Sequence, residues 1–126
     1  YTEIIVHALM TIDSLDMTNA DRAKIGDKIR ELSFEGHPVV VLHGTDTMQE
    51  TAEQVHKELS DIKIPVVFTG AMKPLGFEDS DALQNVTEAL FAAQIISPGI
   101  YISFHNKLFN VPGVRKNKEL RTFETF

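Results

Sequence analysis

The stretch VVVLHGTDTMQETA, residues 39–52, runs from an apolar block through small and polar residues into helix-forming ones. A short apolar block of this kind is typical of a strand that is covered on both faces of its sheet. After the turn, the apolar residues recur at the spacing of one helix face: Met48, Ala52, Val55 and Leu59. The stretch therefore predicts a buried strand, a polar turn at residues 43–47 and a helix.

The same succession of strand and helix is repeated along the chain. Four apolar blocks predict strands at residues 4–10, 38–42, 64–68 and 100–104. Helical spacing is found at residues 18–32, which begin with Thr18 as an N-cap and Asp21 in the first turn, and again in the set Val86, Ala89, Leu90 and Ala93. Because strands joined by helices lie parallel, we predict an α/β fold, a doubly wound and mostly parallel sheet with helices on both faces. Residues from 107 onward follow neither pattern.

The composition is that of one globular domain, which we assign to residues 1–126. The chain is 43% hydrophobic and 24% charged, and its net charge of -6 comes without any cluster of basic residues. Nucleic acid and anionic membrane surfaces are therefore disfavoured as partners, since both require clustered positive charge. No apolar run approaches the roughly 20 residues that cross a bilayer. The chain has no cysteine, which fits a reducing compartment, and we predict a cytoplasmic protein with a small-molecule partner.

Cofactor motifs are missing from the sequence. The five histidines show no i, i+4 pairing of the kind that binds metal ions, and neither the dinucleotide fingerprint nor the P-loop pattern occurs. We therefore expect no metal and no nucleotide cofactor.

The turn at residues 43–47 is the first candidate for a functional site. In a parallel sheet, ligands bind beyond the carboxyl ends of the strands, where the following helices point unpaired N–H groups. Gly44 permits close backbone approach, Thr45 offers a hydroxyl, and Asp46 can hold an ammonium group. The alternative is that Thr45, Asp46 or Thr47 only caps the next helix, and by spacing alone capping is the commoner use of such residues.

HGTDTM followed by QETA resembles the second signature of the bacterial-type L-asparaginases, amidohydrolases that convert a side-chain amide to a carboxylate and ammonia. Further segments are similar to the family in the same order: IDSLDM (12–17), PVVFTGAMKP (65–74), DSDALQN (79–85), GIYISFHNKLF (99–109) and GVRKNKELRTFE (113–124). The resemblance covers nearly all of the chain. Its short length makes it most similar to the one-domain asparaginase-like proteins.

The resemblance implies hydrolysis of L-asparagine to L-aspartate and ammonia through a threonine acyl-enzyme. The family uses two threonines, and Thr45 matches the one that has a lysine and an aspartate beside it, here Lys116 and Asp46. A lysine amine acts as a base only when burial or nearby positive charge favours its neutral form, and Arg115 and Lys118 flank this one. Without the surrounding motif, Lys116 would be interpreted as a solvated surface lysine.

The resemblance also implies an amino-acid substrate, asparagine or aspartate. Ser14 matches the residue that holds the α-carboxylate, and Asp46 matches the one that pairs with the α-amino group. Ala71 matches the position whose backbone carbonyl faces the substrate amide, and Gly44 lies beside the catalytic residues. Leu15 stands where larger relatives often carry glutamine, so only a backbone contact to the substrate remains there.

Other positions are assigned structural or assembly roles. Asp81 and Asn85 match residues that hold a helix start against the loop at residues 70–80. We expect a homo-oligomer, with residues 122–126 as a candidate contact and a frayed tail as the alternative.

The family's primary nucleophile lies in a T-G-G-T-I type loop that nothing in residues 1–126 matches. We expect that segment, with the first strand of the sheet, upstream of this chain, and no turnover from residues 1–126 alone. Two alternatives stay open: an inactive amino-acid-binding module or sensor, and a flavodoxin-like or receiver-type domain.

Overall fold

A computed structural model describes residues 2–126 and contains helices and strands in alternation. In chain order the elements are α1 (Asn19–Ser33), β1 (Val39–Leu42), α2 (Met48–Glu58), β2 (Pro65–Thr69), α3 (Ala82–Ile95), β3 (Gly99–Phe104), β4 (Lys107–Asn110), β5 (Val114–Asn117) and β6 (Thr122–Thr125). A 3-10 turn, Ser14–Asp16, precedes α1. The three predicted helices and three of the four predicted strands are confirmed. The predicted burial of β1 is wrong, because β1 lies at the edge of the described sheet, where it is half-buried with Leu42 exposed. Within residues 2–126, no helix combines the length and the apolar character that crossing a bilayer requires.

The strands form one mixed sheet and one separate hairpin. The sheet has the order β1-β2-β3-β4, in which β1, β2 and β3 are parallel and β4 is antiparallel to β3. The hairpin consists of β5 and β6. The predicted α/β fold is confirmed, and the carboxyl ends of the three parallel strands lie at one edge of the sheet.

Helices cover both faces of the sheet. Val66 and Phe68 of β2 lie in the larger hydrophobic core with residues of α1 and α2. Val67, whose side chain points to the other face, packs with Ala89 and Ala93 of α3. Because neighbouring side chains of a strand point to opposite faces, an apolar run without alternation is what a sheet covered on both sides needs.

The two parallel connections differ in hand. The connections from β1 to β2 and from β2 to β3 step across the sheet in the same direction, yet α2 lies on one face and α3 on the other. The hand of such a connection is set by the direction of the step and by the face that its helix covers. One of the two is therefore left-handed, although about 98% of such connections are right-handed.

Helix α1 begins at the predicted capping signal. The Thr18 side chain accepts from the N–H of Asp21, and the Asp21 carboxylate accepts from the N–H of Thr18. These hydrogen bonds from Thr18, the backbone N–H first, lower the pKa of Asp21. The cap satisfies backbone donors that the first turn of a helix leaves unpaired.

The predicted strand at residues 4–10 is wrong. This segment forms no strand, and Ile4, Ile5 and Val6 are mostly exposed. An apolar run becomes a strand only where a neighbouring strand offers backbone hydrogen bonds, and among residues 2–126 none does so here. Only Leu9 and Met10 pack against the larger core.

The end of the chain is more regular than its sequence indicates. Residues from 107 onward contain three strands, because β4 completes the sheet and β5 pairs with β6. The frayed-tail alternative is wrong, since Phe123 in β6 is 1% exposed, whereas the final Phe126 is 70% exposed.

Candidate active site

The turn after β1 lies at the carboxyl edge of the sheet and leads directly into α2. Thr47 occupies the N-cap position of α2, but its side chain makes no capping hydrogen bond. Its hydroxyl instead donates to the backbone oxygen of Ser14 at 2.9 Å. Thr45 and Asp46 precede the cap, so the capping alternative does not account for either side chain.

Lys116 of β5 reaches both of these residues. Its amine donates to Thr45 Oγ1 at 2.8 Å and to Asp46 Oδ1 at 2.8 Å. The Lys116 side chain is 16% exposed and that of Asp46 is 35% exposed, so the contact is partly shielded from water. The fold thus brings a hydroxyl, a carboxylate and an amine together from positions about 70 residues apart in the sequence.

The backbone of Lys116 is held separately from its side chain. Its N–H donates to Gln49 Oε1 at 2.7 Å, which ties β5 to the first turn of α2. Across the hairpin Lys116 pairs with Phe123, whose buried ring packs edge-on against Phe104 at 4.9 Å between centroids. The sequence patterns did not predict these two contacts of Lys116.

The positive charges next to Lys116 in the sequence do not surround its amine. Arg115 pairs with Glu124 at 3.0 Å, and because strand residues alternate, it faces away from Lys116. Lys118 is exposed beyond the end of β5. Arg115 and Lys118 therefore flank Lys116 in the sequence without crowding its amine, which is partly buried beside Asp46.

Ser14 lies directly against the turn. It is 3% exposed, and a Cβ added to Gly44 would lie 2.7 Å from its Oγ and 2.9 Å from its Cβ. Only glycine fits at position 44 without displacing Ser14. The space left free at Gly44 is therefore filled by Ser14, and the close backbone approach predicted there serves this contact.

Leu15 and Ala71 make no hydrogen bond to the three central side chains. Leu15 is 71% exposed, and its N–H donates to Asp13 Oδ1 at 3.0 Å. Ala71 is half-buried in the loop after β2. Its neighbour Gly70 packs so tightly against His43 that an added Cβ would collide with the backbone oxygen of His43. Ala71 therefore lies at the same edge of the sheet, beside the turn.

The His43 ring holds the turn at residues 43–47 through two hydrogen bonds. Its Nδ1 lies 2.7 Å from the backbone oxygen of Gly44, and its Nε2 lies 2.8 Å from Thr51 Oγ1. Since a carbonyl oxygen only accepts, Nδ1 carries the proton, and Nε2 of the neutral ring accepts from Thr51. Burial lowers the pKa of His43, the bond to Gly44 raises it, and the charge of Arg22 lowers it further, so its net pKa lies below the usual value.

The loop after β2 is held by the start of α3, as the sequence predicts. The Asp81 carboxylate accepts from the N–H groups of Met72 and Lys73 at 3.1 and 3.0 Å. The Asn85 side chain donates to the backbone oxygen of Gly70 at 2.9 Å. Both residues fix the backbone on either side of position 71.

The arrangement has the parts of a nucleophilic site. A threonine hydroxyl with an amine and a carboxylate within hydrogen-bond distance is the pattern of a nucleophile, a base and a group that orients the base. In the part of the chain that the structure describes, no three His, Asp or Glu side chains form a group that could hold a metal ion.

Comparisons with known proteins identify the family to which the chain is similar. The family model "Asparaginase, N-terminal" matches residues 1–126. The chain is 35% identical to the L-asparaginase of Thermococcus kodakarensis over 79% of its length, and 36% identical to that of Dirofilaria immitis over 90%. The solved structure of the Thermococcus kodakarensis enzyme matches with a TM-score of 0.90, 31% identity and 98% of this chain covered. L-asparaginase I of Vibrio cholerae matches with a TM-score of 0.78, 32% identity and 90% coverage.

These relatives are much longer than this chain. It spans 30% of the first relative and 20% of the second, and it covers 38% and 35% of the two solved chains. The similarity therefore covers only part of the length of these relatives.

Proposed function

This chain belongs to the asparaginase family, and we propose that the protein it forms or belongs to hydrolyses L-asparagine to L-aspartate and ammonia. The observation that carries the proposal is the contact of the Lys116 amine with Thr45 Oγ1 and Asp46 Oδ1, each at 2.8 Å. Amide hydrolysis needs an activated oxygen and a group that takes and returns its proton, and these side chains supply both.

In the proposed reaction, the amine of Lys116 takes the proton of the Thr45 hydroxyl. The threonine oxygen then adds to the amide carbon, or it activates the water that releases an acyl group carried by the family's other threonine. The departing nitrogen takes this proton from Lys116 and leaves as ammonia. Water then gives a proton to the Lys116 amine and its oxygen to the acyl carbon, which breaks the threonine ester and forms the carboxylate. Lys116 returns the proton at the end of the cycle.

Asp46 has two tasks in this proposal. Without substrate its carboxylate accepts from the Lys116 amine and holds it beside Thr45 Oγ1. An α-ammonium group of a bound amino acid competes for the same carboxylate. With substrate bound, the Asp46 carboxylate is therefore shared between the Lys116 amine and the α-ammonium group.

The remaining residues are proposed to select an amino acid. Ser14 lies against Gly44 at the base of the turn, and its hydroxyl is proposed to hold the α-carboxylate. Ala71 is proposed to direct its backbone carbonyl at the substrate amide. Leu15 exposes its side chain, so its contribution is limited to the backbone.

The test is ammonia release from L-asparagine by the complete gene product. Thr45→Ala and Lys116→Ala should each lower kcat by about 10²- to 10⁴-fold, the usual contribution of a general base. Lys118→Ala is the matched control, because this lysine lies near Lys116 in the chain and is exposed, and it should leave kcat unchanged. Turnover that survives Lys116→Ala, or that falls equally in Lys118→Ala, would contradict the proposal.

The alternative is a catalytically inactive amino-acid-binding module or sensor that uses the same pocket. It predicts that aspartate binds, that binding weakens in Ser14→Ala and Asp46→Ala, and that no ammonia is released. Titration calorimetry with L-aspartate, run beside the ammonia assay on the same preparation, separates the two functions.

We also propose a cytoplasmic homo-oligomer. The absence of cysteine fits a reducing compartment, and the exposed Phe126 at the end of β6 is the candidate contact. Cell fractionation tests the location. Sedimentation of the protein and of Phe126→Ser tests the assembly, which should weaken in the variant.

A further inference from the structure

A second polar cluster lies beside the candidate active site and has no part in the proposed chemistry. His105 Nε2 lies 2.7 Å from Asp81 Oδ2, and its Nδ1 lies 2.8 Å from Thr122 Oγ1. The three residues come from the start of α3, the turn between β3 and β4, and the first position of β6. One imidazole ring therefore joins three separate parts of the fold.

The direction of the hydrogen bonds follows from the carboxylate. Burial raises the pKa of Asp81, but hydrogen bonds from the Lys73 N–H, the His105 ring and the Met72 N–H outweigh it, so the net pKa lies below the usual value. An ionised carboxylate only accepts, so His105 Nε2 donates to it. In the neutral ring Nδ1 is then an acceptor, and the Thr122 hydroxyl donates to it.

The backbone at His105 is also unusual. Its φ is +46° and that of Asn106 is +62°, so the two residues form the tight turn between antiparallel strands. The His105 N–H donates to Asn85 Oδ1 at 3.0 Å, which fixes the turn against α3. The ring is thus carried by a two-residue turn that is hydrogen-bonded to α3.

The hairpin of β5 and β6 is held to the rest of the fold by contacts of this kind. It forms its own two-stranded sheet and shares no ladder with the four-stranded one. The contacts that fasten it include Phe123 against Phe104, the N–H of Lys116 on Gln49, and Thr122 on His105. Val114 of β5 is also buried in the larger core, and the Lys116 amine makes the contacts of the candidate site. Thr122 pairs across the hairpin with Asn117, the residue after Lys116.

We propose that His105 is a positioning residue that fastens the hairpin carrying Lys116 to the Asp81 carboxylate, and thereby holds the Lys116 amine at Thr45. The same carboxylate holds the backbone after Ala71 through Met72 and Lys73. One acidic group therefore sets the position of both the amine and the loop on the opposite side of the site. The role of His105 in catalysis rests on the proposed function, whereas its role in holding the hairpin does not.

A matched pair of substitutions at Thr122 tests the inference in the complete gene product. Thr122→Val removes the hydroxyl, keeps the shape and suits a strand, whereas Thr122→Ser keeps the hydroxyl. We expect Thr122→Val to lower kcat for ammonia release by about 10- to 100-fold, the cost of a small misplacement of a reacting group, with little change in KM. Thr122→Ser should retain the wild-type kcat.

His105→Asn tests the other half of the connection. Asparagine tolerates positive φ, and its amide can still reach Thr122, but it is too short to keep the bond to Asp81. Its kcat should fall to the level of Thr122→Val. Urea unfolding of each variant shows whether the fold is kept, so a general loss of structure is distinguished from a local shift.

A second readout does not require activity. Acetic anhydride labels lysine amines, and mass spectrometry gives the rate at Lys116 relative to the exposed Lys118 of the same molecule. The ratio should rise several-fold in Thr122→Val and His105→Asn and stay unchanged in Thr122→Ser. If the protein releases no ammonia but the ratio rises, the proposed function fails and the positioning role stands. Folded variants with unchanged kcat and an unchanged ratio would overturn the inference.

Discussion

The backbone N–H of Lys116 donates to the side-chain oxygen of Gln49 at 2.7 Å. Gln49 is in the first turn of α2, the helix that begins two residues after Asp46. The hydroxyl and carboxylate of the candidate site precede this helix, and the strand carrying the amine is hydrogen-bonded to it. This bond therefore ties the strand that carries the amine to the helix that follows the hydroxyl and the carboxylate.

Gln49→Ala should lower the free energy of unfolding by about 1 kcal/mol, because the N–H of Lys116 loses its acceptor in a partly buried place. Gln49→Glu keeps an acceptor at the same distance and should retain the stability. Urea unfolding measures both. Equal stability of Gln49→Ala and the wild type would show that this bond does not hold β5.

Gly44→Ala should destabilise the protein by about 1–3 kcal/mol, the usual cost of forcing an extra methyl group into a packed place. The added Cβ would lie 2.7 Å from Ser14 Oγ and 2.9 Å from Ser14 Cβ. Thermal or urea unfolding gives the loss. Ser14→Gly in the same background removes both atoms and should restore part of the stability.

Gly26→Ala is the matched control for that experiment. Gly26 lies inside α1, and a Cβ there would meet only the flexible end of Glu58, at 3.1 Å, and a methyl of Val55 at 3.9 Å. Since alanine favours a helix over glycine, stability should rise by about 0.5–1 kcal/mol. A loss as large as that of Gly44→Ala would mean that the tight contact at Ser14 is not the cause.

The stability should fall in acid because of His43. Its folded-state pKa lies below 6.5, chiefly through burial, so on acidification the unfolded chain binds the proton first. The contribution of His43 is complete above about pH 6.5 and is lost as the pH falls through the folded-state pKa. The facing groups are Arg22, whose charge also lowers the pKa, and the neutral Thr51.

Urea unfolding at about pH 7.5 and about pH 5 measures this loss. His43→Asn is the control, because its amide can still donate to the Gly44 carbonyl but does not titrate. The free energy of unfolding should decrease less with acidification in His43→Asn than in the wild type. An identical decrease would assign the acid sensitivity to other groups.

Phe123→Ala should lower the free energy of unfolding by about 3–5 kcal/mol, the usual cost of removing a buried aromatic ring. The ring is 1% exposed and packs on Phe104, so its loss also loosens the hairpin that carries Lys116. Phe123→Leu fills most of the space and should cost less. Urea unfolding of the two variants gives the difference, and a cost below 1 kcal/mol for Phe123→Ala would contradict the packing role.

The elements that the sequence predicts are those whose signals are local. Helix α1 starts at the capping box of Thr18 and Asp21, and the strands β1 to β3 are apolar runs long enough to be covered on both faces. The segment at residues 4–10 is also an apolar run, but it forms no strand. A strand needs a neighbouring strand to pair with, and composition does not reveal whether one is present. The short strands β4 to β6 are polar, so their sequences contain no apolar run that predicts a strand.

The candidate site likewise contains residues that the sequence predicts and residues that it does not. Thr45, Asp46 and Lys116 were predicted from motif resemblance, and the structure brings their side chains together. Gln49, His105 and Thr122 were not, because a single glutamine, histidine or threonine carries no local signal of a distant partner. Their importance follows only from contacts across 17 to 67 positions of the chain.

The opposite hands of the two parallel connections have a consequence for ligand access. After β1 the chain departs toward one face, and after β2 it departs toward the other. Two neighbouring strand ends whose connections diverge leave a cleft between them, and open α/β sheets bind ligands in such clefts. In this sheet the opposite hands alone, without a reversal of strand order, turn the chain toward different faces at the ends of β1 and β2.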